Sequence, residues 1–318
     1  MMLENSATIN FDILPGEHLL GALGRYHHLS SYRLMSKSLG GISFDAKSLC
    51  PQAYNRTIFK DLHFGMTNGE DDYFSFLQPR TLVNFYRPFA PEGLFSSQTP
   101  SAIFPKSNHD LNRSKNWQWC PLCVPEDIDS FGVPYFHLEH QLPAMTHCYR
   151  HKTPLLIRCD DCILYRSKVE IIGVVPTPGS CEKCFNNIDE KHAFFDDDME
   201  WLNKTSLKLL SSDKVPFNLM QLQSAYQRFL GVGPINGRRS VKEIKSISKA
   251  QLRLENTFSP KLFKAIFKKT NVVASHRIVS NLYIPNAAFY PNVFLSPIIH
   301  LLIIRMMFGE IENIPLVN

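Results

Sequence analysis

The sequence predicts a mainly α-helical chain with a central tandem metal-ribbon module and helical, helix-turn-helix-like domains on either side. Three observations carry this reading. Pairs of the form Cys-x2-Cys or Cys-x2-His are concentrated between positions 120 and 184. Apolar residues recur at helical spacing before and after that block, with Ser-Pro at helix starts and Gly at a helix end. A strongly basic stretch follows the cysteines. The expected modules are an N-terminal helical domain over 1–112, the ribbon module over 113–190 and a basic C-terminal helical domain over 191–318.

A chain of 318 residues has room for two or three modules. Hydrophobic residues make up 44% and charged residues 20%, so it can bury cores, and 23 Phe and 11 Tyr are available to fill them. Residues 14–39 read as a helical pair, with Pro15 near the start, Leu19, Leu20, Leu23 and His27 on one face, and Gly40-Gly41 as the stop. Short helices follow between Ile58 and Phe85. Segment 87–112, with Pro88, Pro91, Pro100 and Pro105, reads as an ordered connector. Short β-type runs such as Val169 to Val175 separate the cysteine pairs.

Beyond Cys184 the pattern is helical again. Asp196-Asp197-Asp198 precede Met199, Leu202, Leu207, Leu209 and Leu210, and acids at a helix start suit the macrodipole. Ser240-Val241-Lys242-Glu243 matches a capping box. Ser259-Pro260 opens a segment ending near Lys269, and Ser296-Pro297 opens another closed by Gly309. The apolar run Val293 to Phe308, broken by Pro297, His300 and Arg305, is too short to span a bilayer. Residues 1–11 lack a signal-peptide pattern, so the cytoplasm is the expected compartment, where thiols stay reduced and favour metal over disulfides.

The ligand spacing is Cys120-x2-Cys123, Cys148-x2-His151, Cys159-x2-Cys162 and Cys181-x2-Cys184. Two ligands three residues apart on a knuckle turn can both reach one ion about 2.3 Å away, and two knuckles close a tetrahedron. Soft thiolates with one imidazole select zinc, so two structural zinc ions are expected. Seven residues separate His151 from Cys159, which favours two sequential sites over an interleaved pair. Zinc binding contributes roughly 10–16 kcal/mol in small modules. Residues 117–185 offer few apolar layers, so this module should depend on zinc. Cys50 is left over and reads as a small core residue. His137 and His140 read as packing or surface residues, since the ligand quota is met without them. No phosphate loop, nucleophile elbow or H-E-x-x-H helix is present, which points away from an enzyme.

The net charge of +5 hides an asymmetry. Lys204 to Arg277 hold fifteen Lys or Arg against three acids, a net of +12, leaving −7 for the rest. Arg238, Arg239, Lys242, Lys245, Lys249, Arg253, Lys261, Lys264, Lys268, Lys269 and Arg277 are the candidate nucleic-acid contacts.

The residues also resemble a known family. Leu14-Pro15-Gly16-Glu17-His18-Leu19-Leu20-Gly21-Ala22-Leu23-Gly24-Arg25-Tyr26-His27 is similar to the opening of TniQ/TnsD proteins. Trp119-Cys120-Pro121-Leu122-Cys123 resembles their first knuckle. His140-Gln141-Leu142-Pro143-Ala144, with Cys148-Tyr149-Arg150-His151-Lys152-Thr153-Pro154-Leu155, resembles their signature of Leu-Pro, Cys-x-x-His and Pro-Leu. Cys159 to Cys184 looks like their second ribbon, and Ser296-Pro297-Ile298-Ile299-His300-Leu301-Leu302 is similar to a late helix start in that family.

The resemblance implies a non-catalytic target-site selector of a multi-component DNA transposon that recruits an AAA+ ATPase regulator. It leaves two modes open, direct binding of target DNA or attachment as an adaptor to an RNA-guided CRISPR effector complex. A homodimer is a further expected partner state. A zinc-dependent nucleic-acid enzyme is the alternative from another class, and the absence of a carboxylate constellation speaks against it.

Overall fold

The computed structural model describes residues 11–32, 35–38, 51–52, 57–94, 111–112, 116–157, 175–181, 184, 186, 188, 194–234, 238–268 and 282–316. Among the expected features, Gly40-Gly41, Cys50, Cys159, Cys162, Lys269, Arg277 and nearly all of the Val169 to Val175 run lie outside them. The described residues are mainly helical, with little strand. They form two compact units. One holds the residues up to Val83 and those from 116 to 188. The other holds 84–94, 111–112 and everything from 194 onward. The segments expected as an N-terminal domain and a ribbon module therefore share the first unit, apart from the stretch beginning at Asn84.

In the first unit, α1 (Leu19–Leu29) starts at His18, whose Nδ1 accepts the Leu20 N–H at 3.1 Å. That satisfies one donor left orphaned at the helix start. Leu19, Leu20, Ala22 and Leu23 are wholly buried, as the helical spacing predicts. Then come α2 (Met35–Ser38), α3 (Thr57–Thr67) and α4 (Tyr73–Leu77), the last capped by Asp72 on the Ser75 N–H at 2.8 Å. The short α5 (Val83–Tyr86) follows, with Val83 assigned to this unit and Asn84 to Tyr86 to the other. β1 (Gln118–Trp119) and β2 (Leu156–Ile157) pair antiparallel, Gln118 opposite Ile157 and Trp119 opposite Leu156. α6 (Cys123–Phe131) ends at Gly132, whose φ of 76° is the left-handed cap that glycine supplies without strain.

The core of this unit is larger than the composition of 117–185 suggests. Trp117, Trp119, Phe136, Leu142, Met145, Leu155 and Leu156 are all buried. They are sealed by the N-terminal motif, which docks through its backbone. The His18 N–H donates to the Phe136 carbonyl at 3.0 Å and the Leu138 N–H to the Gly16 carbonyl at 2.8 Å. The Tyr135 hydroxyl donates to the Pro15 carbonyl at 3.0 Å. A Cβ on Gly21 would stand 3.0 Å from the Phe136 Cβ, so glycine permits this close approach.

The second unit contains α7 (Asp197–Leu210), α8 (Leu219–Leu230), α9 (Val241–Thr257), α10 (Pro260–Ile266), α11 (Ile284–Phe289) and α12 (Pro297–Phe308). The punctuation read from sequence is found in place. Asp196 accepts the Met199 N–H at 2.8 Å, and Ser240 with Glu243 forms the full capping box. Asn218 and Gln221 make a second such box, which opens α8. α10 stops at Ile266, short of Lys269, because Asn112 takes over its carbonyls. The Asn112 side-chain amide donates to Lys264 and Ala265 at 2.7 and 3.0 Å, and its N–H to Ile266 at 2.8 Å.

The α12 helix is buried on nearly every side and packs on α7, α9 and α11. It is the core helix of this unit. His300 lies within it, with its ring stacked on Phe89 at 5.2 Å and Nδ1 3.3 Å from the Tyr226 hydroxyl. No helix among the described residues is long and apolar enough to cross a membrane.

Candidate metal centre

Cys120 sits just past β1, and Cys123 is the first residue of α6. The Cys123 N–H returns to the Cys120 carbonyl at 3.2 Å, which makes the knuckle. The second knuckle is a tight turn. The Lys152 N–H donates to the Cys148 carbonyl at 2.9 Å, the Cys148 N–H to the Thr153 carbonyl at 2.8 Å, and Lys152 takes a φ of 56°. Pairing of β1 with β2, and of His147 with Pro154, brings the two knuckles together.

The ligand atoms of Cys120, Cys123, Cys148 and His151 all lie within 4.8 Å of one another. His151 Nδ1 is 3.4 Å from the Cys120 sulfur, 3.4 Å from Cys123 and 3.6 Å from Cys148. The Cys123 and Cys148 sulfurs are 3.8 Å apart. A tetrahedron with zinc-ligand bonds of about 2.3 Å to sulfur and about 2.05 Å to nitrogen has edges of about 3.8 Å between sulfurs and about 3.6 Å from sulfur to nitrogen. The donor set therefore fits a zinc-sized ion. All four positions are protein ligands, so the arrangement is a closed, structural one.

Electrostatics points the same way. Hydrogen bonds from the Cys120 and Cys123 thiols hold the Cys148 thiol far below its usual pKa. The Cys123 thiol is pushed up by sharing with Cys120 and then Cys148. Three sulfurs this close resist ionising together, and a divalent cation removes that conflict. Of the four later cysteines, two lie among the described residues. Cys181 is buried and Cys184 half-buried, on a turn closed by Cys181 N–H to Asn186 O at 2.9 Å and Ile188 N–H to Gly179 O at 2.8 Å.

Several residues that are not ligands surround the centre. The Glu126 Oε1 takes the His151 Nε2–H at 2.9 Å, which leaves Nδ1 for the ion. Both Asp127 oxygens lie 3.1 Å from His137 Nε2, and the His137 ring stacks on Tyr135 at 4.3 Å. Arg150 Nη2 donates to the Cys123 sulfur at 3.1 Å. Next to this, Arg25 and Glu17 form a buried two-bonded pair, with Nε and Nη2 each 2.9 Å from a carboxylate oxygen. Burial raises the Glu17 pKa against the pull of Arg25, and burial pushes Glu139 up to about 7 against His137 and Arg150. The available signal was spacing from a ligand. Glu126 and Asp127 stand three and four residues after Cys123, on the same face of a helix. His140 is fully buried, as a packing role requires.

A family model described as TniQ matches residues 75–155. The match covers 81 of the 318 residues and marks that segment as similar to TniQ. The matched TniQ segment runs from α4 to the residue before β2 and includes all four ligands of the first cluster. No curated protein matches the chain.

Outside the TniQ match, Arg238, Lys242, Lys245, Lys249, Arg253, Lys261, Lys264 and Lys268 are exposed. Lys242, Lys245, Lys249 and Arg253 follow one another at steps of three, four and four along α9, so they form a single stripe. Arg239 differs from them. Its guanidinium lies 3.8 Å over the Phe289 ring, and its Nη1 is 3.5 Å from Glu243.

Proposed function

We propose that the chain is a non-catalytic target-site selector of a multi-component DNA transposon, which binds target DNA or a DNA-targeting complex and recruits an AAA+ ATPase regulator. The TniQ match is the observation that carries this reading, because it is tied to transposition. The closed Cys3His cluster supports the absence of catalysis at the metal, since it offers no position for a water. We take the ion to be zinc, and Cys159, Cys162, Cys181 and Cys184 to hold a second one. In this reading the ribbons fix the helical parts of the chain, and the protein works in the cytoplasm.

The α9 stripe is the proposed DNA contact. Its four cations span twelve residues, about 16 Å of helix, which is a length over which a cation row can follow a phosphate backbone. Such contacts fix position on the duplex without reading its sequence. The test is fluorescence anisotropy with naked duplex DNA over a salt series. Changing Lys242, Lys245, Lys249 and Arg253 to Ala should weaken binding and flatten the salt slope by about 0.9 per lost phosphate contact. An unchanged slope removes the stripe from the DNA interface. Binding that appears only in the presence of a guide-RNA effector complex replaces direct recognition with the adaptor mode.

A further inference from the structure

Among the described groups that touch the metal cluster from outside, Arg150 is the cation. It lies between the two ligands Tyr149-flanked Cys148 and His151 in sequence, yet its side chain reaches the other knuckle. Nη2 donates to the Cys123 sulfur at 3.1 Å and lies 3.5 Å from His137 Nδ1. Nη1 is 3.7 Å from Glu126 Oε2, and the other oxygen of that carboxylate holds His151 Nε2 at 2.9 Å. One guanidinium fork thus spans a sulfur ligand and the carboxylate that orients the nitrogen ligand. The Cys123 sulfur is itself buried, whereas the Arg150 side chain is partly exposed. The arginine therefore stands on the solvent side of that sulfur.

The charge count gives this placement a purpose. Three thiolates, a neutral imidazole and a divalent ion sum to −1, and the excess negative charge resides on sulfur. A thiolate with excess charge is the nucleophile through which electrophiles and oxidants strip metal from a cysteine site. A hydrogen bond from a cation draws that charge away, and such charged hydrogen bonds are short and strong. Lysine could supply the charge but not the fork, because its ammonium is a point donor.

We propose that Arg150 is the positioning residue that protects the Cys3His centre, lowering the reactivity of the Cys123 thiolate and locking the Glu126–His151 pair. The inference rests on the cluster holding zinc. It concerns the rate at which the ion is lost, not the fold that the ion supports. Cys123 is then the sulfur that reacts first when the arginine is removed.

Zinc release from the full chain tests this, followed with a chromogenic chelator while N-ethylmaleimide is titrated in. Arg150→Gln, which keeps size and loses charge, should bind zinc as the wild type does and release it about tenfold faster, in line with substitutions of groups that support a ligand. Arg150→Lys should fall between the two. In cobalt-substituted protein, Arg150→Gln should move the sulfur-to-metal charge-transfer band to lower energy, because a thiolate without its donor holds its electrons less tightly. A purely structural role would leave that band in place. Equal release rates and an unmoved band in folded, zinc-loaded Arg150→Gln overturn the proposal while leaving the zinc reading intact. Wild-type protein that carries no zinc at this cluster overturns both. Mass mapping of the first alkylated cysteine adds a last check, and labelling that begins anywhere but Cys123 counts against it.

Discussion

The two units of this chain solve the same stability problem with different chemistry. The unit containing the cysteines buries polar and charged groups in quantity. Glu17, His18, Gln118, Asp127, His137, His140 and Gln141 all lie under its surface. Nearly all are answered by hydrogen bonds, such as the mutual pair in which Gln141 accepts the Gln118 N–H at 3.1 Å and donates to the Gln118 carbonyl at 2.8 Å. The other unit is organised on α12, whose buried side chains are almost all aliphatic. Apolar burial is tolerant of small shifts, whereas a polar core must keep its geometry or leave groups unpaired. A metal with four fixed ligands is one way to keep that geometry, which gives the cluster a reason to sit in the polar unit.

If this contrast is right, removing the metal should break one unit and spare the other. Ion binding of roughly 10–16 kcal/mol is as large as the whole stability of a typical domain, about 5–15 kcal/mol. A strong chelator, or Cys148→Ser, should abolish hydrogen-exchange protection over α6 and the 135–155 segment and then over α1, which is bonded to it. Protection in α12 should persist. Equal loss in both units would show that they do not differ in the way argued. The buried Trp117, Trp119 and Phe136 set the limit of this effect, since an apolar remnant around them can stay collapsed without the ion.

The same contrast shows what could be read from sequence. Helix punctuation in the second unit was legible because Ser-Pro, Ser-x-x-Glu and Gly act locally, on the backbone next to them. The box at Asn218 and Gln221 uses the same mechanism with less distinctive residues, so the start of α8 carries a weaker signal in sequence. The ligands were legible because x2 spacing is a local geometry too. The residues that surround them were not. Glu17, Arg25, Asp127 and Arg150 reach partners 8 to 27 positions away, and only the folded chain brings those partners close. The few apolar layers expected for 117–185 were misleading for a related reason. Its core is completed by α1, from the opposite end of the TniQ-like pattern.

Acid should not separate the units, and this is a second way to probe them. His18 is held neutral in the first, with its pKa lowered to about 4 by burial against the bond to the Pro51 carbonyl. His300 is held neutral in the second, lowered to about 3 by burial. Both lie below the usual value near 6.5, so the unfolded state binds the proton more readily. Their contribution is complete above about pH 6.5 and is lost as pH falls toward the folded values. For His300, the loss between pH 6.5 and 4 is about 3 kcal/mol. His300→Gln should flatten that limb for the second unit in chemical denaturation. If its cluster holds an ion, the first unit will keep an acid limb, because thiolates release metal as they protonate. An acid limb unaltered in His300→Gln would mean that another group titrates there.

The smallest effect concerns one methyl group. Gly21 lies inside α1, where alanine is the better helix former by about 0.8–1.0 kcal/mol. On that ground alone, Gly21→Ala should stabilise. The added Cβ would meet the Phe136 Cβ at 3.0 Å, however, and Phe136 has little room to retreat. Its carbonyl is tied to the His18 N–H, and its ring lies 4.7 Å from that of Trp117 and 6.1 Å from that of Trp119. Overpacking of this kind costs about 1–3 kcal/mol. The clash should outweigh the propensity and leave a net loss of about 1 kcal/mol, seen as a lower melting temperature with metal content unchanged. A gain in melting temperature would show that the α1 contact is looser than its spacing implies, and that the polar unit tolerates small shifts as the apolar one does.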